Sequence, residues 1–312
     1  MNREGKIAQK VANIYDIDMN IGYRKDTHYL DIIDEASKLV GSGEQYSHAH
    51  SLGFDRIYKL SKHTAVFGGY LADSILKAPY SMKIKGMSRF PFIPEIFIKN
   101  ENRTDKIEKH YVSSSVLEKV NNRRLYRFEK IKELRNESAH EWFVLFPSTM
   151  RVAIGNYHST RRLFRSYEPF MSNAVIKIGA SVPTEWKLNR RLFNRAMKPF
   201  LLPSKWLIHG DGRLPYFSWV VNSFIQIPFW LYHKIGKKVG IIKGYQGSWC
   251  NWHEVVNGIA WRDLVRKYTN SDIDLDFINK DLEQLLLNSD LTYFEKVNLL
   301  QVLVNINQDK NK

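Results

Sequence analysis

Apolar residues recur every three to four positions in the first part of this chain, between two short apolar runs. This period predicts helices over residues 4–14, 29–39 and 54–60. The runs Met19–Tyr23 and Thr64–Phe67 predict strands, and the compact second run has the form of a buried parallel strand that leads into a turn. Helices that alternate with short strands predict an α/β layer over residues 1–80.

The pattern changes after residue 80. Prolines and lysines interrupt residues 81–110, which predicts a loop or an insertion. Helical spacing then dominates residues 111–312, so that a mostly helical region with C-terminal helices follows the α/β layer. We expect its helices over residues 112–138, 148–165, 171–182, 189–199, 216–233, 251–269 and 275–306.

The second predicted strand ends in Gly68-Gly69, and Asp73 follows at the start of the next predicted helix. A strand, a glycine turn and a helix start place backbone N–H groups and a carboxylate at the mouth of an α/β sheet, where phosphates bind. A carboxylate at that place is also a hard oxygen ligand for Mg²⁺. The alternative is an ordinary turn whose aspartate caps a helix, because such turns occur in many proteins.

A basic helix lies between two proline stops, Pro183 and Pro203. Arg190 and Arg191 open this helix, and Arg195 lies one turn further on. These arginines could face a bound anion. A solvated basic face is the alternative, since exposed charge is common on helices.

Taken in this order, these runs resemble the synthetase domain of asparagine synthetases over residues 4–215. The matching runs are Gly69-Tyr70-Leu71-Ala72-Asp73-Ser74, Pro169-Phe170-Met171-Ser172, Ser181-Val182-Pro183 with Lys187, the basic helix at Arg190, Leu202-Pro203, and Asp211-Gly212-Arg213. The resemblance rests on the order and spacing of these short runs. It implies a partial parallel sheet of the adenine-nucleotide α-hydrolase-like (ATP pyrophosphatase) type, followed by a mostly α-helical region.

In that family ATP activates a carboxylate as an acyl-adenylate, and ammonia then displaces AMP to form an amide. The resemblance therefore implies ATP and Mg²⁺ as cofactors and a carboxylate as substrate. Asp73 would be a catalytic residue that holds Mg²⁺-pyrophosphate, and Arg190 would be a second catalytic residue that faces the phosphates. Gly68, Gly69 and Arg191 would complete the cofactor-binding set. We expect the glycine turn and the basic helix to face one phosphate-sized cleft.

The chain departs from the family at several places. Neither the Ser-Gly-Gly-x-Asp-Ser pyrophosphate loop nor a glutaminase domain is recognisable in it. Tyr70, Ser74 and Ser172 replace acidic residues of the family, and Arg190 replaces a lysine, which is not a neutral change. We therefore expect an N-terminally truncated or diverged member, weak or inactive alone, with a separate glutaminase or N-terminal partner. The alternative is an inactive relative that acts as a binding or membrane-peripheral scaffold.

Net charge widens the range of partners to consider. The chain carries 47 Lys and Arg against 32 Asp and Glu, a net charge of +15, which favours anionic partners. Nucleic acid is disfavoured because no known nucleic-acid-binding module is recognisable. The aromatic stretch 216–238 ends in lysines and is too interrupted to span a membrane. It predicts either a buried helix or peripheral contact with an anionic membrane surface.

Two further features concern cysteine and histidine. The single cysteine, Cys250, excludes an intramolecular disulfide framework, and the polar N-terminus predicts no signal peptide, so we expect a cytoplasmic protein. His48 and His50 would lie on the same side of a strand as a candidate metal pair. A hydrogen-bonded or surface role is favoured, because no third ligand is evident.

Overall fold

The computed structural model shows a mostly helical chain with one small parallel sheet. It describes residues 2–41, 45–84, 90, 92–98, 104–145, 151–241, 250–269 and 275–310. In chain order the helices and strands are α1 (Arg3–Ile14), α2 (His28–Asp31), α3 (Ile33–Val40), α4 (Phe54–Ile57), β1 (Val66–Phe67), α5 (Ala72–Leu76), α6 (Ser114–Leu134), α7 (Ala139–Leu145), α8 (Arg151–Leu163), β2 (Ser166–Tyr167), α9 (Asn173–Ser181), α10 (Thr184–Lys187), α11 (Arg191–Met197), α12 (Trp219–Lys238), α13 (Trp252–Asn257), α14 (Ile259–Thr269), α15 (Leu282–Asn288) and α16 (Tyr293–Lys310).

The chain divides into two compact units, each assembled from three separate stretches. Unit 1 comprises Met1–Gly22, Leu71–Asn102 and Phe170–Trp249, and unit 2 comprises Tyr23–Tyr70, Arg103–Pro169 and Cys250–Lys312. The boundaries expected near residues 80 and 110 followed changes in composition, whereas this division follows tertiary contacts. The two divisions therefore describe different properties of the chain and do not coincide.

The core of unit 2 forms around α16, which contacts α3, α13, α14 and α15. Trp261 on α14 is fully buried, and Leu300 and Val304 on α16 are buried with it in the same unit. Gln301 is buried among these apolar residues at little cost, because both its amide oxygen and its amide nitrogen form hydrogen bonds. Its Oε1 accepts from the Tyr46 N–H at 2.8 Å, and its Nε2 donates to the Gly41 carbonyl at 2.8 Å.

The C-terminal helix expected over residues 275–306 is two helices, α15 and α16. A capping box begins the second one: the Thr292 hydroxyl accepts from the Glu295 N–H at 3.3 Å, and the Glu295 carboxylate accepts from the Thr292 N–H at 2.9 Å. These bonds satisfy donors that no helical carbonyl can reach, so the chain restarts a helix there. Lys109 also pairs with Glu295.

The α/β prediction is confirmed only in its coarsest form. β1 and β2 pair in parallel, with Val66 opposite Ser166 and Phe67 opposite Tyr167. The strand predicted at Met19–Tyr23 is wrong, because these residues have no regular secondary structure and no strand pairs with them among the described residues. The buried environment predicted for β1 is also wrong, because the Phe67 side chain is 72% exposed. The ATP-pyrophosphatase type of fold stays a prediction.

Unit 1 contains two very close approaches between elements. Gly179 on α9 faces Ile75 on α5, and a Cβ at Gly179 would overlap the Ile75 side chain, so glycine is needed for this contact. Gly212 lies against the ring of Phe229 on α12 in the same way. These glycines set how closely α5 and the 209–213 turn approach their neighbours within the unit.

Candidate functional site

Two arginines of unit 1 share one carboxylate. Arg190 Nη2 lies 2.8 Å from Asp211 Oδ2, and Arg213 Nη1 lies 3.8 Å from the same oxygen. The Arg213 N–H also donates to Asp211 Oδ1 at 3.2 Å. Because two positive side chains share one negative side chain, the group keeps a net positive charge and attracts a further anion.

The backbone at Arg190 is held in an unusual conformation. Asn189 and Arg190 have φ angles of 52° and 59°, in the left-handed region that residues other than glycine seldom occupy. Glu95 holds this turn from the other side of the loop: its Oε2 accepts from the Asn189 N–H at 2.9 Å, and its N–H donates to Asn189 Oδ1 at 2.8 Å. Strained backbone fixed in this way is often found at functional sites.

Asp73 belongs to the same unit and connects to this region through Lys77. The Lys77 ammonium pairs with the Asp73 carboxylate one turn away on α5, and it also lies 4.2 Å from the ring centre of Phe193 on α11. His209 is near both Lys77 and Arg190. Burial lowers the pKa of His209, and the charges of Arg190 and Lys77 add to this effect against the opposing charge of Asp211.

We call Lys77, Arg190, His209, Asp211 and Arg213 the basic cluster. Burial and the neighbouring Arg190 charge lower the pKa of the Arg213 guanidinium, whereas Asp211 raises it. Arg213 Nε is a buried donor for which no acceptor is present among the described residues. The side chains of Arg190 and Arg213 stay 29% and 23% exposed, so an anion at the surface can reach their guanidinium groups, and the residues present suit a phosphate group.

The cavity at the cluster is small. It measures about 10 Å³ and is lined by Asn189, Arg190, Asn194, Arg213 and Pro215, and by Trp219 and Asn222 of α12. A space of this size holds at most one water molecule, so a phosphate would bind at its mouth and not inside it.

The cluster is positioned by polar residues of α12 and by α1. Asn222 accepts from the Leu214 N–H at 2.7 Å and donates to the Phe217 carbonyl at 2.9 Å. Gln226 donates to the Asp211 carbonyl at 3.2 Å. Arg3 donates to the carbonyls of His209 and Gly210, and thereby fixes the start of the turn.

The glycine turn lies in unit 2 and already holds an anion of the chain. Glu168 Oε2 accepts from the Tyr70 N–H at 2.9 Å, and a Cβ on Gly68 would lie 2.5 Å from the Glu168 Cδ atom. A side chain at position 68 would therefore require the Glu168 carboxylate to move from this position. Gly69 has open space around it.

The predicted site residues fall into two groups. Asp73, Arg190 and Arg191 lie in unit 1, and Arg190 is the member that joins the basic cluster directly, while Arg191 is exposed at the start of α11. Gly68 and Gly69 lie in unit 2, so one shared cleft stays a prediction. The cofactor-binding and metal roles of these residues also stay predictions. Among the described residues, no group of three or more His, Cys, Asp or Glu side chains could hold a metal ion.

Sequence reasoning missed Glu168 and the partnership of Asp211 with Arg213. In the sequence, Asp211-Gly212-Arg213 is only one of the short runs that carry the resemblance. The alternation of opposite charges around that glycine is the signal that predicts a local ion pair. Nothing in the sequence around Glu168 indicates that its carboxylate reaches the glycine turn, because the two lie almost one hundred residues apart.

A second basic region lies in unit 2. A cavity of about 360 Å³ is lined by Arg161, Arg162 and Arg165, together with Ser61 and Ser166 among others. Arg162 donates to the Leu39 carbonyl at 2.8 Å, which anchors one of the three arginines. The cavity is open and polar, and it supplies a control for any charge effect measured at the basic cluster.

The histidine pair is not on a strand. His48 ends a short 3₁₀ turn at Tyr46–His48, and the two imidazole rings lie 5.7 Å apart between their centres. Burial lowers the pKa of His50 to about 3, and the nearby charges of Arg24, His48 and His28 contribute. The Tyr29 hydroxyl lies 3.5 Å from His50 Nδ1.

We expect acid to destabilise unit 2 through His50. The unfolded chain binds a proton to this imidazole below pH 6.5 and the folded chain does not, so the stabilisation is complete above pH 6.5 and is lost as the pH falls towards about 3. The loss should approach about 1.4 kcal/mol per pH unit, or roughly 2 kcal/mol at pH 5. Urea unfolding at pH 7.5 and 5.0 measures it, and His50→Asn should reduce the difference. The exposed His63→Asn is the control, and an equal reduction in both variants would contradict the assignment.

None of the helices described here is both long enough and apolar enough to cross a membrane. No family model, curated protein or solved structure matches the chain. What the protein does must therefore be inferred from its own residues.

Proposed function

We propose that the chain binds the phosphates of ATP at the basic cluster, as a diverged relative of the asparagine synthetases. The observation that carries this proposal is the meeting of Arg190 and Arg213 on the single carboxylate of Asp211. The reaction class is the ATP-dependent activation of a carboxylate for amide formation, and this part rests on the resemblance of the sequence.

The residues support phosphate binding in three ways. Arginine binds phosphate through paired N–H donors, and two arginines lie together here. Both side chains are partly exposed, at 29% for Arg190 and 23% for Arg213, so a phosphate at the surface can reach them. Asp73 offers an exposed carboxylate in the same unit, and Mg²⁺ bound with a nucleotide commonly takes only one or two carboxylates from the protein.

Calorimetric titration of the full chain with ATP and Mg²⁺ tests the proposal. We expect binding in the wild type and an affinity at least tenfold lower in Arg190→Gln, because hydrogen bonds between charged groups contribute about 1.5–3 kcal/mol. Pyrophosphate exchange with aspartate and other carboxylates tests the reaction class, and Asp73→Ala should remove any exchange.

Arg165→Gln is the matched control. It removes one exposed arginine from the second basic region and leaves the basic cluster intact. We expect the affinity for ATP to stay within about twofold of the wild type, since salt screens the charge of an exposed arginine that is not part of the cluster. An equal loss of affinity in both variants would mean that the binding of ATP depends on the net charge of the protein and not on the basic cluster.

A second candidate is a non-catalytic relative that binds a partner in place of a nucleotide. The Glu168 carboxylate favours it, because it takes the Tyr70 N–H that a phosphate would otherwise use. This candidate predicts no calorimetric binding of ATP and Mg²⁺ and no exchange. Micromolar binding by the wild-type chain would reject it.

A further inference from the structure

Helix α12 buries polar side chains and exposes apolar ones, which is the reverse of an ordinary surface helix. Its buried residues are Asn222, Gln226 and Gly236. Its exposed face carries large apolar side chains, among them Phe224, which is 71% exposed, and Ile235, which is 57% exposed. A helix on a protein surface normally buries its apolar face and exposes its polar face.

The exposed apolar residues form one continuous stripe. The stripe consists of Val220, Phe224, Ile227, Leu231 and Ile235, all of which are exposed. Their spacing of three or four residues places them on the same side of the helix. An apolar stripe of this length on a protein surface indicates an interaction site.

The charge around the stripe indicates the kind of partner. No acidic residue occurs between Asp211 and Glu254, so the helix and its flanks carry positive charge only. Lys234, Lys237 and Lys238 lie in its last two turns, and the Lys234 ammonium lies 4.8 Å from the ring centre of Trp230. An apolar face bordered by lysines and aromatic rings is complementary to an anionic lipid surface.

We propose that α12 binds an anionic membrane surface, lying in the plane of the lipid headgroups with its apolar stripe inserted. This interaction is peripheral, and it does not depend on the proposed nucleotide binding. The buried amides of Asn222 and Gln226 hold the opposite side of the helix to the turn at 211–218, so the stripe is presented by the folded protein.

Vesicle flotation of the full chain tests the proposal. We expect binding to vesicles of phosphatidylcholine with 30 mol% phosphatidylglycerol, and at least tenfold weaker binding to pure phosphatidylcholine. The double variant Phe224→Ser and Leu231→Ser should bind the anionic vesicles at least tenfold more weakly. In the wild type both apolar side chains leave water when the helix inserts, and the variant loses this gain in free energy. Replacing both Lys237 and Lys238 by Gln should weaken binding by about fivefold per lysine.

Leu134→Ser is the matched control, because Leu134 is an 85% exposed leucine at the end of another helix, α6. Its vesicle binding should equal that of the wild type, and circular dichroism should show all variants folded. Absence of binding to the anionic vesicles, or equal binding by the stripe variant, would overturn the proposal. A dimer in sedimentation equilibrium that the stripe variant dissociates, without vesicle binding, would assign the stripe to a second copy of the chain and equally overturn it.

Discussion

Replacing Gly212 by alanine should destabilise the protein by about 2–5 kcal/mol. The φ angle of Gly212 is +80°, which costs a residue with a Cβ about 1–2 kcal/mol. The new Cβ would also overlap the ring of Phe229, 2.7 Å from its Cγ and Cε1 atoms, and overpacking adds about 1–3 kcal/mol. The ring cannot easily move away, because Arg3 lies 4.5 Å from its centre on one side and His233 packs against it at 4.5 Å.

Gly240→Ala separates these two contributions. Gly240 has a similar φ angle of +74°, but nothing lies within 4 Å of an added Cβ. Urea unfolding of both variants should therefore show the larger loss in Gly212→Ala, by about 1–3 kcal/mol. Equal losses would show that only backbone strain matters and that the ring of Phe229 adapts.

The same substitution should weaken ATP binding, if the proposed function holds. Gly212 lies between Asp211 and Arg213, which are both members of the basic cluster. Its N–H donates to the His209 carbonyl at 2.9 Å and closes the turn. A displaced turn would separate Asp211 from Arg190, which now lie 2.8 Å apart. Calorimetric titration with ATP and Mg²⁺ compares the affinities of Gly212→Ala and Gly240→Ala, at a temperature at which both variants are folded.

Most of the helical structure could be predicted from the sequence, because apolar spacing is a local property. Helix α9 lies within the predicted range 171–182, and α12 overlaps the predicted range 216–233. The breaks between helices were missed where they depend on a cap, as at Thr292, or on a kink at Asn189 and Arg190 with positive φ. Such features depend on single side chains and not on a period.

The sheet was predicted poorly for a different reason. A strand exists only where a second strand pairs with it, and the partner of β1 lies about one hundred residues away. The run Met19–Tyr23 looks like a strand by composition, yet no strand pairs with it among the described residues. The ion pair of Arg190 with Asp211 could not be predicted for the same reason, because the two residues lie 21 positions apart in the sequence, and the role of Arg190 stays a prediction.

The polar residues of α12 have a structural role that the sequence pattern alone did not reveal. Asn222 and Gln226 interrupt the apolar stretch, which in the sequence only excluded a membrane-spanning helix. In the fold they are the buried residues of the helix and connect it to the turn that carries the basic cluster. Polar residues inside an apolar run can therefore mark the packed side of a helix, when that side faces backbone groups that need partners.

Replacing Asn222 by leucine should cost about 3 kcal/mol of stability. Leucine has the same branching and the same number of side-chain heavy atoms as asparagine, so the main loss is of hydrogen bonds. The Leu214 N–H, now 2.7 Å from Asn222 Oδ1, would be left buried without its acceptor, which costs about 1–3 kcal/mol. The bonds from Nδ2 to the carbonyls of Phe217 and Ser218 add less, because the Phe217 carbonyl also accepts from Asn194 at 2.9 Å.

Ser223→Ala is the control, since its hydroxyl only donates to the Val220 carbonyl on the exposed side of the same helix. Its stability should change by no more than about 0.5 kcal/mol. Urea unfolding measures both variants, and hydrogen exchange at the Leu214 amide reports the lost bond directly, with faster exchange expected in Asn222→Leu. A stability equal to the wild type in Asn222→Leu would mean that the hydrogen bonds of Asn222 do not hold the 211–218 turn. The bonds from Gln226 to the Asp211 carbonyl and from Arg3 to the carbonyls of His209 and Gly210 would then be enough to position Arg213.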